Sequence, residues 1–183
     1  MNTITTPDLQ AQFDALGKLS WIWMHSPMHR DWVTSAAARF LLPPVAMQQF
    51  ELLECDGLPV AYCSWAWLNE EAEIRYLLKP SALELADWNS GDRLWFIDWV
   101  APFDGADSRK LKRLLALRFP NEVARTIHVK PGQDTAHIRE FKGSALTRAE
   151  AEKKLRGYYG NLLDKLCEGV QEKQAKHLSA LEV

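Results

Sequence analysis

The sequence predicts a single α/β (α+β) domain with a mixed central β-sheet flanked by helices. Three observations lead there. A chain of 183 residues suits one hydrophobic core, since single cores persist up to about 250 residues. Two apolar runs meet at Asp56-Gly57 in FELLEC-DG-LPVAYCSWAWL, which is the turn chemistry of a β-hairpin. The segments then run helix, helix, strand, strand, helix, strand, helix, strand, strand, helix, with no internal repeat and no low-complexity stretch.

Thr6-Pro7-Asp8 supplies a capping hydroxyl, a proline at the first helical position and an acid against the helix dipole. Leu9, Phe13 and Leu16 share one face of that helix, and Gly17 is expected to close it. The next stretch, WMHSPMHRDW (23–32), has neither helical nor strand period. WVTSAAARFLLPPVAMQQ (32–49) is helix-prone as far as Pro43-Pro44, where a helix must break or kink. After the hairpin, residues 70–90 read as mostly helical and Gly91-Asp92 ends them. LWFIDWVAP (94–102) reads as a buried central strand that carries one carboxylate, Asp98. In SRKLKRLLALR (108–118), Leu111, Leu114, Leu115 and Leu117 oppose five basic residues and no acid, giving an amphipathic helix with a positive outer face. ARTIHVK and AHIREFK are two further strands across Lys130-Pro131-Gly132. A last helix is expected from Thr147 to His177, weakened by Gly157, Gly160 and Gly169.

Charge and composition exclude several classes. With 22 basic against 24 acidic side chains the net charge is -2, so no global field draws nucleic acid or an anionic membrane. The first basic residue is Lys18 and MNTITTPDLQAQF contains no apolar stretch, the wrong order for a secretory signal. No apolar run approaches the roughly 18 residues that would span a bilayer. A cytoplasmic protein is therefore expected. Cys55, Cys63 and Cys167 are odd in number and match no zinc or redox spacing, which predicts reduced thiols.

The motifs narrow the chemistry. His25 and His29 are four residues apart, as paired ligands on a helix would be, but Pro27 separates them and no HExxH acid is present; no metal site is expected. Neither GxSxG nor a phosphate-binding GxxxxGK[ST] occurs, so no dissociable cofactor is expected. Cys63 sits in the apolar run VAYCSWA, where a cysteine is usually a small buried hydrophobe. Asp98 is the most informative residue. A carboxylate inside LWFIDWV must be protonated, hydrogen-bonded or placed where the strand opens onto a site. It could pair with an arginine, or it could orient a histidine and stabilise its charged form; His29, in a proline-containing loop, is the candidate.

WIWMHSPMHRDW (21–32), LPVAYCSWAWL (58–68) and SGDRLWFIDWVAPF (90–103) together resemble the RTX toxin-activating lysine acyltransferases, and weaker similarity through RFPNEVARTIHVKP and AHIREFKG extends it over about residues 15–143. Residues 144–183 then form a helical tail to a single acyltransferase domain. The resemblance implies a GNAT-like fold, and transfer of a fatty acyl group from the phosphopantetheine of acyl carrier protein to internal lysines of an RTX protoxin. It implies that His29 and Asp98 are the catalytic pair and Ser26 a helper. A homodimer is compatible with it. Because acyl carrier proteins are generally acidic, the basic helix with Arg109, Lys110, Lys112, Arg113 and Arg118 is the expected docking surface. Trp21, Trp23, Trp65, Trp67 and Trp99 are candidate walls for an acyl chain, with core packing the competing role of each. Two other readings stand beside this one: a noncatalytic secretion chaperone or binding module for the protoxin, and a thioesterase using Ser26 or Cys63.

Overall fold

A computed structural model describes residues 9–129, 136–160 and 162. Helix α1 spans Leu9–His25, α2 Thr34–Phe40 and α3 Leu42–Met47. Strands β1 (Phe50–Cys55) and β2 (Leu58–Leu68) precede α4 (Glu70–Leu78) and two short 3-10 turns, and then come β3 (Arg93–Val100), α5 (Gly105–Arg118), β4 (Val123–Val129) and β5 (Ala136–Lys142). Residues 148–160 form a last helix, α6. The Thr6-Pro7-Asp8 cap, the Lys130-Pro131-Gly132 turn, Cys167 and Gly169 lie outside the described residues. So does the expected continuation of the last helix to His177.

The five strands stand in the order β1-β2-β3-β4-β5, antiparallel except for the parallel β3–β4 pair. With helices over both faces this is a mixed, GNAT-like α/β sheet, as the sequence predicts. The hairpin falls at Asp56-Gly57, where φ is 51° and 78°. Two consecutive positive φ values are what a two-residue turn matching strand twist requires. On one face Cys63, Trp65, Leu94, Phe96, Leu111 and Leu115 pack the sheet against α5. On the other, Leu19, Ile22, Trp23, Tyr62 and Val100 pack it against α1, and Ala66, Tyr76, Trp88 and Trp95 against α4.

Two helix boundaries differ from the expectation. Helix α1 does not close at Gly17 but runs on to His25. A mid-helix glycine costs about 1 kcal/mol, and burying Leu19, Ile22 and Trp23 beyond it offsets that cost. The first three residues of WMHSPMHRDW, a stretch without visible period of its own, are therefore a helix end whose periodicity lies upstream. The helix stops where Pro27 disfavours helical geometry at Ser26. The second helix breaks at Leu41, ahead of Pro43-Pro44; the prolines occupy the first turn of α3, where their missing N–H groups are harmless.

The parallel pair positions the site. β3 and β4 are in register only at Leu94–Ala124 and Trp95–Arg125, and beyond that point they part. The closed end is clamped by buried Glu73 of α4, which accepts from Arg93 Nη1 at 2.5 Å and Trp95 Nε1 at 2.7 Å and pairs with Arg125. Burial holds the Arg125 guanidinium below its ordinary pKa, against the pull of Glu73.

Candidate active site

The parted strands leave a cleft of about 800 Å³ that passes from one helical layer to the other. Met28, His29, Trp32, Phe40 and Tyr76 line it on the α1–α4 side, and Ser108, Arg109 and Lys112 on the α5 side. Ile97, Asp98 and Trp99 of β3 face Thr126, Ile127 and His128 of β4 across the gap.

A β-bulge decides which way Asp98 points. Along β3, Leu94 and Phe96 face α5 while Trp95 faces α4, the alternation of a regular strand. Continued, that alternation would send Asp98 to the α5 layer. The register with β2 instead shifts from Trp65–Phe96 to Ser64–Asp98, leaving Ile97 as an extra residue. Parity is reversed from there, so that Asp98 and Val100 face α1.

At the end of α1 the chain makes a tight turn. Ser26 N–H donates to Trp23 O at 3.0 Å, His29 N–H to Ser26 O at 3.0 Å and Trp32 N–H to His29 O at 2.8 Å. The turn folds the His29 side chain back under the helix, where it stacks on Trp23 at 4.9 Å and meets the edge of Trp32 at 4.6 Å. His29 is therefore 4% exposed and packed, rather than a loose loop side chain.

Three of the residues singled out from sequence meet here in a line. Ser26 Oγ lies 2.8 Å from His29 Nδ1, and His29 Nε2 lies 3.2 Å from Asp98 Oδ1. With the carboxylate against Nε2, the neutral ring carries its proton there, and Nδ1 is left as the basic nitrogen facing the serine hydroxyl. The partners of Asp98 are His29, Trp23 and Tyr62, not an arginine. Trp23 Nε1 donates to Oδ2 at 2.8 Å, and the Tyr62 hydroxyl donates to the same oxygen.

The remaining candidates separate. Arg109 and Lys112 line the cleft, whereas Lys110 is engaged by Asp107 at 2.9 Å and Arg118 by Glu51 at 3.2 Å. Arg113 is exposed and does not line the cleft. Of the five tryptophans proposed as an acyl wall, Trp99 lines the cleft; Trp65 and Trp67 pack against Phe119, Trp23 serves Asp98, and Trp21 lies beside His25 on the outside. Cys63 is buried toward α5, and burial, then the negative charges of Asp98 and Glu51, push its thiol far above the usual range. His25 is turned to Trp21 O at 2.8 Å, and among the described residues no His, Cys, Asp and Glu group converges as a metal site. Sequence reading missed Tyr62, which looked like one more apolar residue of VAYCSWA.

A sheet opened by a parted parallel pair, with a histidine–carboxylate couple at the edge of the opening, has the build of a GNAT-like acyltransferase. Residues 9–142 match the profile of the RTX toxin acyltransferase family. The protein-lysine palmitoyltransferase CyaC of Bordetella bronchiseptica is 48% identical over 151 residues, covering 82% of each chain. The RTX-II toxin-activating lysine-acyltransferase ApxIIC of Actinobacillus pleuropneumoniae is 42% identical over 86% of this chain and 98% of its own. The protein-lysine myristoyltransferase HlyC of Escherichia coli is 40% identical over 85% and 91%. The chain belongs to the RTX toxin acyltransferase family and is an acyltransferase.

Proposed function

We propose that this protein activates an RTX protoxin by moving a fatty acyl group from acyl carrier protein to the ε-amino group of internal lysines, in the cytoplasm and without a metal or dissociable cofactor. The observation that carries the reading is the Ser26–His29–Asp98 line beside a cleft open to both helical layers. Family membership supplies the reaction class, and the names of the relatives supply the lysine and the fatty acyl group. No helix among the described residues is long and apolar enough to cross a membrane.

A lysine amine with a pKa of about 10.4 is protonated at neutral pH and must lose a proton to attack a thioester. One ammonium proton is released to solvent, and Ser26 then passes its hydroxyl proton to His29 Nδ1 as it takes the second from the attacking amine. The imidazolium that forms is held at Nε2 by Asp98, whose charge offsets it. The C–N bond forms, the C–S bond breaks, and the proton on the imidazolium returns through the serine to the leaving pantetheine thiolate. Arg109 and Lys112 on the α5 wall receive the anionic carrier.

Single-turnover transfer of labelled acyl groups from acyl carrier protein to a protoxin peptide tests this. His29→Gln and Asp98→Asn should each lower the rate by roughly 10²- to 10⁴-fold, and the double variant should cost little more, because the two act as a unit. His29→Ala is the poorer probe, since it also empties the slot between Trp23 and Trp32. Multiplicative losses would sink the paired roles. Peptide binding with no transfer by the wild type would return the chain to the binding-module reading, and free fatty acid without acceptor to the thioesterase one.

A further inference from the structure

The two oxygens of Asp98 do different work. Oδ1 faces His29 Nε2 at 3.2 Å, whereas Oδ2 accepts from Trp23 Nε1 at 2.8 Å and from the Tyr62 hydroxyl. Tyr62 is fully buried and stands opposite Val100, two residues along β2 from the Ser64–Asp98 pair. The bulge that turns Asp98 toward α1 thus delivers its carboxylate to the side-chain row that carries this phenol. Trp23 in turn stacks on His29, so one indole touches both members of the couple. It also donates to the Tyr62 oxygen.

We propose that Tyr62 is a positioning residue for acyl transfer: its hydroxyl, with the Trp23 indole N–H, pins Asp98 Oδ2 so that Oδ1 stays aimed at His29 Nε2. The inference rests on the reading of His29 and Asp98 as base and partner. A carboxylate in a partly buried site can rotate about its last torsion and present either oxygen, so an unpinned Asp98 would face His29 for only part of the time. Two donors on one oxygen also draw negative charge away from the other and set how strongly the imidazolium is held. Burial, reinforced by the Asp98 charge, pushes the Tyr62 phenol far above its ordinary pKa, so it remains a donor throughout the working range.

The other titratable groups around the carboxylate are few. His29 faces it from the turn after α1, Tyr76 of α4 acts on it electrostatically, and Cys63 lies next to Tyr62 on β2; burial, more than any charge, keeps the tyrosine and the thiol neutral. Across the cleft stand Arg109 and Lys112 of α5, His128 of β4 and Arg139 of β5. A change confined to the Tyr62 hydroxyl leaves all of these in place.

The test is the pH dependence of single-turnover transfer in Tyr62→Phe, with a thermal melt confirming the fold, beside a protein carrying 3-fluorotyrosine at position 62. Losing one donor to a charged group should lower the plateau rate roughly 10- to 100-fold with KM for both substrates unchanged. The acid limb should move to higher pH, because a carboxylate relieved of a donor holds the imidazolium more firmly. The fluorinated phenol is a stronger donor, so its limb should move the opposite way. Shifts of opposite sign establish positioning; a merely structural role would lower stability and leave both limbs where they were. A wild-type rate and profile in Tyr62→Phe would overturn the proposal. If His29→Gln were fully active, the failure would belong to the base assignment instead.

Discussion

At the scale of single residues, His29 and Asp98 stood out as candidates because each breaks the logic of its surroundings, whereas Ser26 was singled out through the family resemblance. A titratable cluster stands between large aromatics, and a carboxylate stands inside LWFIDWV. Tyr62 was not legible, because a tyrosine in an apolar strand satisfies the same pattern whether its hydroxyl meets water, backbone or a buried carboxylate. Cys63 shows the reverse case: a potentially nucleophilic residue type that its environment disarms. Buried under α5 with its thiol held neutral, it should resist alkylation in the native protein, while exposed Cys55 reacts. Brief iodoacetamide treatment followed by peptide mapping checks this, with Cys63 becoming reactive only in denaturant. Labelling of native Cys63 with parallel loss of transfer would reopen a cysteine mechanism.

At the scale of elements, the hairpin, β3 and α5 were readable from local signals alone: a two-residue turn, a branched and aromatic apolar run, and leucines spaced against basic residues. What local signals could not say is which basic residues look into the site, since that depends on where α5 crosses the sheet. Only Leu111 and Leu115 of its leucines are buried, and this rotation brings Arg109 and Lys112 to the cleft. Reversing that pair to glutamate should raise KM for acyl carrier protein by roughly tenfold or more at low salt, two exposed charge contacts being worth about 1 kcal/mol each. The effect should fade as salt screens it. Lys110→Glu, which reverses one charge on the same helix away from the cleft lining, serves as the comparison and should change KM less. Equal effects at both places would mean that the carrier senses the charge of the helix and not the cleft wall.

At the scale of the whole molecule, the fold class followed from the order of elements, but the opening between β3 and β4 did not. Nothing in LWFIDWV or VARTIHV announces that two adjacent parallel strands will share only two register positions. The clamp at the closed end was equally hidden, because Glu73, Arg93 and Arg125 come from α4, β3 and β4 and meet only after folding. Glu73→Ala would leave the buried Arg125 guanidinium without its carboxylate and Arg93 with Glu70 alone, and should cost about 3–5 kcal/mol in urea unfolding. A loss below 1 kcal/mol would show that water compensates them. The bulge at Ile97 has a consequence for how such a chain can change over time. Substitutions along β3 leave the count of residues between Leu94 and Asp98 intact, whereas a single insertion or deletion there exchanges the two sides of the sheet for everything downstream. The length of this strand therefore matters as much as its composition: a variant one residue shorter would keep Ser26, His29 and Asp98 in its sequence and yet hold the carboxylate in the other layer.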